Sequence, residues 1–155
     1  MSSAFEVNAV PPVRASRVIR GVVGAAVAAV AVNTAIALVG LAAGASSDFR
    51  PLQPTSYILL TVVGVLAGTA GWAAVRRRSQ RPTAVLRRLV PAVVAVSLVP
   101  DVALLFTDAQ PHTTGVGVAT LMAMHLATAV VAVPILARTL PLPSDDDVAA
   151  PPAVR

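Results

Sequence analysis

The chain contains no cysteine. That excludes disulfides, thiolate metal centres, iron–sulfur clusters and dithiol redox chemistry, and with them the membrane thiol oxidoreductases that a small apolar chain would otherwise suggest. Lysine is also absent, so all twelve basic side chains are arginine. Together with the excess of alanine and valine, this points to a bacterium with a GC-rich genome. Charge of either sign is scarce: 12% of the residues carry it, about half the share of a soluble domain. Hydrophobic residues make up 56% of the 155. That length suits one compact domain and leaves no room for a separate soluble catalytic domain.

The apolar residues fall into four long runs, over residues 21–44, 57–75, 89–107 and 115–136. At ~1.5 Å per helical residue, each is long enough to cross a hydrocarbon core of ~30 Å, given some tilt. The fold class expected is all-α, a four-helix transmembrane bundle. The first run begins after Arg14, Arg17 and Arg20 and ends in Ala-Gly-Ala-Ser (43–46), like a signal peptide. It far exceeds the roughly 7–15 residues of a cleavable core, so it is expected to stay as an anchor. Pro91 and Pro100 lie in the third run; Pro100 cannot donate to Val96, which predicts a kink. Residues 14–140 form the expected membrane domain, and residues 1–13 and 141–155, rich in proline and polar side chains, are expected to be disordered.

Eleven arginines lie before the first run, between the second and third, or after the fourth; the other two loops hold only Arg50. The positive-inside rule then predicts a plasma-membrane protein with both termini in the cytoplasm. The same asymmetry explains the net charge of +5 without nucleic acid as a partner. The stretch of Arg76, Arg77, Arg78, Arg81, Arg87 and Arg88 is read as a lipid-facing basic loop that meets anionic headgroups.

Small residues allow helices in lipid to approach closely. In the first run Ala26, Ala29, Asn33, Ala37, Gly40 and Gly44 share one face, and bulkier Val27, Val30, Thr34, Leu38 and Leu41 share the opposite one. The second run carries Thr61, Gly64, Gly68 and Gly71. These glycines are assigned to packing within the chain's own bundle, with a homodimer seam as the alternative.

Three strongly polar side chains fall inside the runs: Asn33, Asp101 and His125. Such groups are costly in lipid and are functional candidates by default. Asn33 and Asp101 lie ~18 Å above the inner ends of their runs, and His125 ~15 Å below the outer end of its own. All three can share one level of the bundle interior, and the short third-to-fourth hairpin makes Asp101 and His125 neighbours. Two readings stand. The pair can be a proton relay or polar ligand pocket, since histidine changes charge near neutral pH. Alternatively, Asp101 caps the helix that restarts after Pro100, and His125 bonds Asn33 or a carbonyl freed by proline. Met122, Met124 and His125 make no ligand set for copper, and His112 lies too far out to pair with His125 on a haem. No phosphate loop, nucleophile elbow or carboxylate pair is present. No cofactor, metal or enzymatic activity is expected.

Ala-Gly-Trp (70–72) runs into the arginine-rich stretch, a proline-containing third run follows, and Met-His-Leu (124–126) precedes Val-Pro-Ile-Leu-Ala-Arg (133–138). In these features the chain resembles an uncharacterised family of small four-helix membrane proteins of high-GC Gram-positive bacteria, defined as a domain of unknown function. The resemblance covers residues 14–140. It implies the same topology and places Trp72, His125, Pro134 and Arg138 in the family pattern, with Asp101 outside it. It implies no activity. The function expected is that of a non-enzymatic structural or accessory subunit, packed with another membrane protein or a second copy. The alternative is a small transporter or proton-coupled carrier using His125 and Asp101.

Overall fold

The structure, a computed structural model, describes residues 14–142. Five α-helices follow in order: α1 (Ala15–Ala42), α2 (Pro54–Arg78), α3 (Pro82–Ser97), α4 (Val99–Ala103) and α5 (Gly115–Thr139). A short 3-10 turn, Arg50–Leu52, precedes α2. Four segments are long and apolar enough to cross a membrane, with α3 and α4 together forming the third, Pro82–Ala103. No strand occurs among the described residues.

Helix boundaries follow proline and capping chemistry. Pro54 and Pro82 open α2 and α3 at positions where a missing N–H costs nothing. Thr114 caps α5 by accepting from the Gly117 N–H at 3.0 Å. The chain leaves α1 through Gly44, whose φ of 100° suits glycine, while the Ala45 N–H donates to the Gly40 carbonyl at 2.9 Å. The third span breaks at Leu98, two residues before Pro100, where the kink is predicted.

The helices outrun the apolar segments that announce them. α2 continues through Arg76, Arg77 and Arg78, and α3 already contains Arg87 and Arg88. Arginine is a good helix former, and its long side chain reaches water from beyond the hydrocarbon edge. The predicted loop over residues 76–88 is therefore corrected to the three residues 79–81. At its far end the third span stops at Ala103, four residues short of the expected 107.

α1 and α5 share the most extensive contact, and α2 packs on α1. Gly21 and Gly40 of α1 meet Thr139 and Thr120 of α5 so closely that a Cβ on either glycine would overlap the threonine side chain. The core has three parts. Ala25, Ala29, Val65 and Ala132 fill the middle. Phe49, Leu52, Tyr57, Leu121 and Met124 fill the end where α1 stops. Trp72, Leu86, Leu136 and Leu140 fill the end where α5 stops. Phe49, from the loop after α1, is 0% exposed. The third span is the least buried of the four.

The expected disordered tails fall mostly at residues 1–13 and 143–155, which lie outside the described residues. Pro141 and Leu142, assigned to the tail, are instead held at the end of α5: the Pro141 carbonyl accepts from Arg76 Nε at 2.8 Å, and Leu142 packs against the cluster of Trp72, Leu86, Leu136 and Leu140.

Candidate functional site

Asn33 is the polar centre of the bundle. Its small neighbours on α1, Ala29 and Ala37, are buried and let α2 and α5 come close. The side-chain amide, 2% exposed, donates both of its protons: to Thr61 Oγ1 on α2 at 2.8 Å and to Thr128 Oγ1 on α5 at 3.0 Å. Thr128 in turn donates to the Met124 carbonyl at 2.8 Å. One carboxamide thus ties three spans at one level, while Asn33 Oδ1 has no partner. The bond from His125 to Asn33 that the sequence allowed is not made.

Asp101 and His125 are brought together. Asp101 Oδ2 lies 2.8 Å from His125 Nδ1, joining α4 to α5. The same nitrogen lies 3.1 Å from the Leu121 carbonyl one turn back. A ring lone pair facing that carbonyl would be repelled, so Nδ1 carries the proton. The N–H axis runs toward Leu121, and Oδ2 touches the ring nitrogen without an aligned donor. Asp101 is 6% exposed, whereas the His125 side chain is 41% exposed. Asp101 caps nothing: Leu98 holds the capping position of α4 and no side-chain cap bond is formed. Ser97, one turn away, donates to the Val94 carbonyl instead.

Two surface depressions lie apart from these polar groups: one among Ala74, Val75, Arg78 and Ser79, the other in the loop from Leu104 to Thr113. Among the described residues no group of three or more His, Asp or Glu side chains could hold a metal ion.

The predicted packing and basic residues separate. Gly40 packs against Thr120 as its stripe requires. Gly44 is exposed and serves the turn after α1. Gly64, Gly68 and Gly71 face outward, and a Cβ at any of them would meet nothing within 4 Å, which corrects their assignment to the chain's own bundle. Thr34, assigned to the bulky lipid side, is half-buried and accepts from the Tyr57 hydroxyl at 3.2 Å. Arg77, Arg78, Arg81, Arg87 and Arg88 are exposed, but Arg76 is 9% exposed and does not face lipid. It joins Trp72, whose Nε1 donates to the Leu140 carbonyl at 3.0 Å, and Arg17, which donates to the Arg138 carbonyl at 2.8 Å. Together they satisfy carbonyls at the end of α5 that have no helical partner.

Sequence reasoning missed Gly21, Thr120 and Thr139. A signal existed: Gly21 and Gly40 are nineteen residues apart, and so are Thr120 and Thr139. Two antiparallel helices in register show equal spacings of this kind.

The profile of the Family of unknown function (DUF6069) matches residues 13–141. No curated protein and no solved structure matches the chain.

Proposed function

We propose, from the premise that the chain belongs to the DUF6069 family, that this multi-pass membrane protein is a non-enzymatic accessory subunit. It packs beside another membrane protein or a second copy, and both termini lie in the cytoplasm. The observation that carries this reading is the use made of Asn33: both amide protons are spent on hydroxyls of neighbouring spans. Polar groups engaged in this way hold helices together. The orientation rests on the arginines. Among the described residues, ten belong to the end where α2 stops and α5 stops, and Arg50 alone to the other.

A carrier is the second reading, favoured by one observation: the half-open His125 side chain against a buried carboxylate that has no aligned donor. Liposomes containing the purified protein and a trapped pH-sensitive dye separate the two. The accessory reading expects proton flux under an imposed membrane potential to equal that of empty liposomes. Flux that Asp101→Asn or His125→Gln abolishes would replace it with the carrier.

A further inference from the structure

Arginine gathers at one end of the bundle with no counter-charge among the described residues. Ten of the twelve lie where α2 and α5 stop and where α1 and α3 begin. Asp48 and Asp108 lie in loops of the opposite end, and Asp101 is in α4 beside His125. The sequence holds seven acids. The other four, Glu6 and Asp145–Asp147, lie outside the described residues, before α1 and after α5, so both groups join the chain at the arginine end.

The last described residues aim the second group. The Pro141 carbonyl accepts from Arg76 Nε at 2.8 Å, and Leu142 packs against the cluster that joins Trp72 of α2 and Leu86 of α3 to Leu136 and Leu140. Position 142 is thereby fixed between the end of α2 and the start of α3. Asp145 follows it by three residues and Asp147 by five. At ~3.3–3.6 Å per residue, their Cα atoms stay within ~18 Å of Leu142. Glu6, eight residues ahead of Arg14, is a single charge on a reach of ~29 Å.

The exposed arginines of the α2–α3 hairpin fall into two sets. Arg77, Arg78 and Arg81 follow Arg76 through the end of α2 and the connecting loop. Arg87 and Arg88 sit five and six residues past Pro82 within α3, ~8–9 Å nearer the bilayer. The second set is placed for headgroups, and the first lies where the chain emerges from α5. A headgroup brings its charge singly and diffuses away. The aspartates bring three on a short tether, and a short flexible linker holds its ligand at an effective concentration of order millimolar.

We propose that Asp145–Asp147 fold back onto Arg77, Arg78 and Arg81, so that the chain covers its own basic hairpin and leaves Arg87 and Arg88 to the headgroups. The proposal rests on where α5 ends and not on the accessory or the carrier reading, so neither outcome of the liposome experiment touches it.

A chain without cysteine accepts a single labelled one at a chosen position. Val148→Cys, next to the acids, carries a nitroxide, and its mobility is read by electron paramagnetic resonance with the full chain in phosphatidylcholine nanodiscs. Restricted motion is expected at low salt. Salt at ~1 M, which shortens the screening length to ~3 Å, should free the label. So should Asp145→Asn, Asp146→Asn and Asp147→Asn made together, or Arg77→Gln, Arg78→Gln and Arg81→Gln made together. Arg87→Gln with Arg88→Gln should leave it restricted. The asparagine variant alters no described residue, so it decides the matter even where the triple arginine variant fails to fold. A label that is mobile in the unsubstituted background, or still restricted after the asparagine changes, overturns the proposal. So does release when phosphatidylglycerol replaces half of the lipid, which gives Arg77, Arg78 and Arg81 to the headgroups.

Discussion

Gly40 of α1 and Thr120 of α5 meet with no room for a side chain between them: a Cβ on Gly40 would overlap the threonine hydroxyl and methyl groups. Gly40→Leu is therefore expected to lower stability by about 1–3 kcal/mol, the usual cost of overpacking. Leu41→Ala, on the exposed side of the same turn, should change little. Thermal melts in detergent compare them directly. Thr120→Ala should restore part of the stability of Gly40→Ala; equal melts for Gly40→Leu and Leu41→Ala would refute the contact.

Asn33 donates to hydroxyls on two other spans. Asn33→Ala is expected to cost about 1–2 kcal/mol, and Thr61→Val or Thr128→Val less, about 0.6 kcal/mol each. Unfolding in mixed micelles, arranged as double-mutant cycles, measures these values. Additive losses for Asn33 and Thr61 would show that the bond carries no coupling.

The Asp101–His125 contact joins the short helix α4 to α5. A cycle built from Asp101→Asn and His125→Gln should show coupling of about 1 kcal/mol, within the range for polar pairs in membrane bundles. Zero coupling would mean that the two groups are adjacent without stabilising the fold.

Neighbouring arginines should behave differently. Arg76 is buried and donates to the Pro141 carbonyl at 2.8 Å, whereas Arg77 is exposed. Arg76→Gln is expected to destabilise by about 1.5–3 kcal/mol, as for a lost charge-assisted hydrogen bond. Arg77→Gln should leave the melt unchanged. Trp72→Phe, which removes the indole N–H that reaches Leu140, should follow Arg76→Gln in direction. Equal effects of the two arginine variants would disprove the clamp.

Orientation is tested by reporter fusions at Ser47, Gln80, Gln110 and Ser144. Cytoplasmic signal is expected at Gln80 and Ser144 and external signal at the other two. External signal at Gln80 would invert the topology.

The spans were legible because lipid leaves helices little alternative and hydropathy marks them directly. Their ends were less so, since arginine interrupts hydropathy without interrupting the helix; Arg76 is the plainest case, polar in the sequence yet buried in the fold. Asn33 was legible by its place in a stripe of small residues, and the nearness of Asp101 to His125 by their heights along a hairpin. Their partners were not. Thr61 and Thr128 become donors' targets only once α1, α2 and α5 are assembled at one level, and spacing within a single helix carries no information about its neighbour. The outward glycines of α2 mislead for the same reason, because a face suited to packing does not say against what.

The dominance of the α1–α5 contact has a consequence for synthesis. Once made, α1 finds its main neighbour only after some seventy further residues, between Ala42 and Gly115, have followed it. At roughly 5–20 residues per second this is a wait of about 4–15 s. Throughout it Gly21, Asn33 and Gly40 face something other than α5, either lipid or the insertion machinery. The bundle can close only once α5 has been made, when Arg17, Trp72 and Arg76 find the carbonyls at its terminus. A chain cut short before residue 115 would be left in the bilayer with Asn33 facing no Thr128.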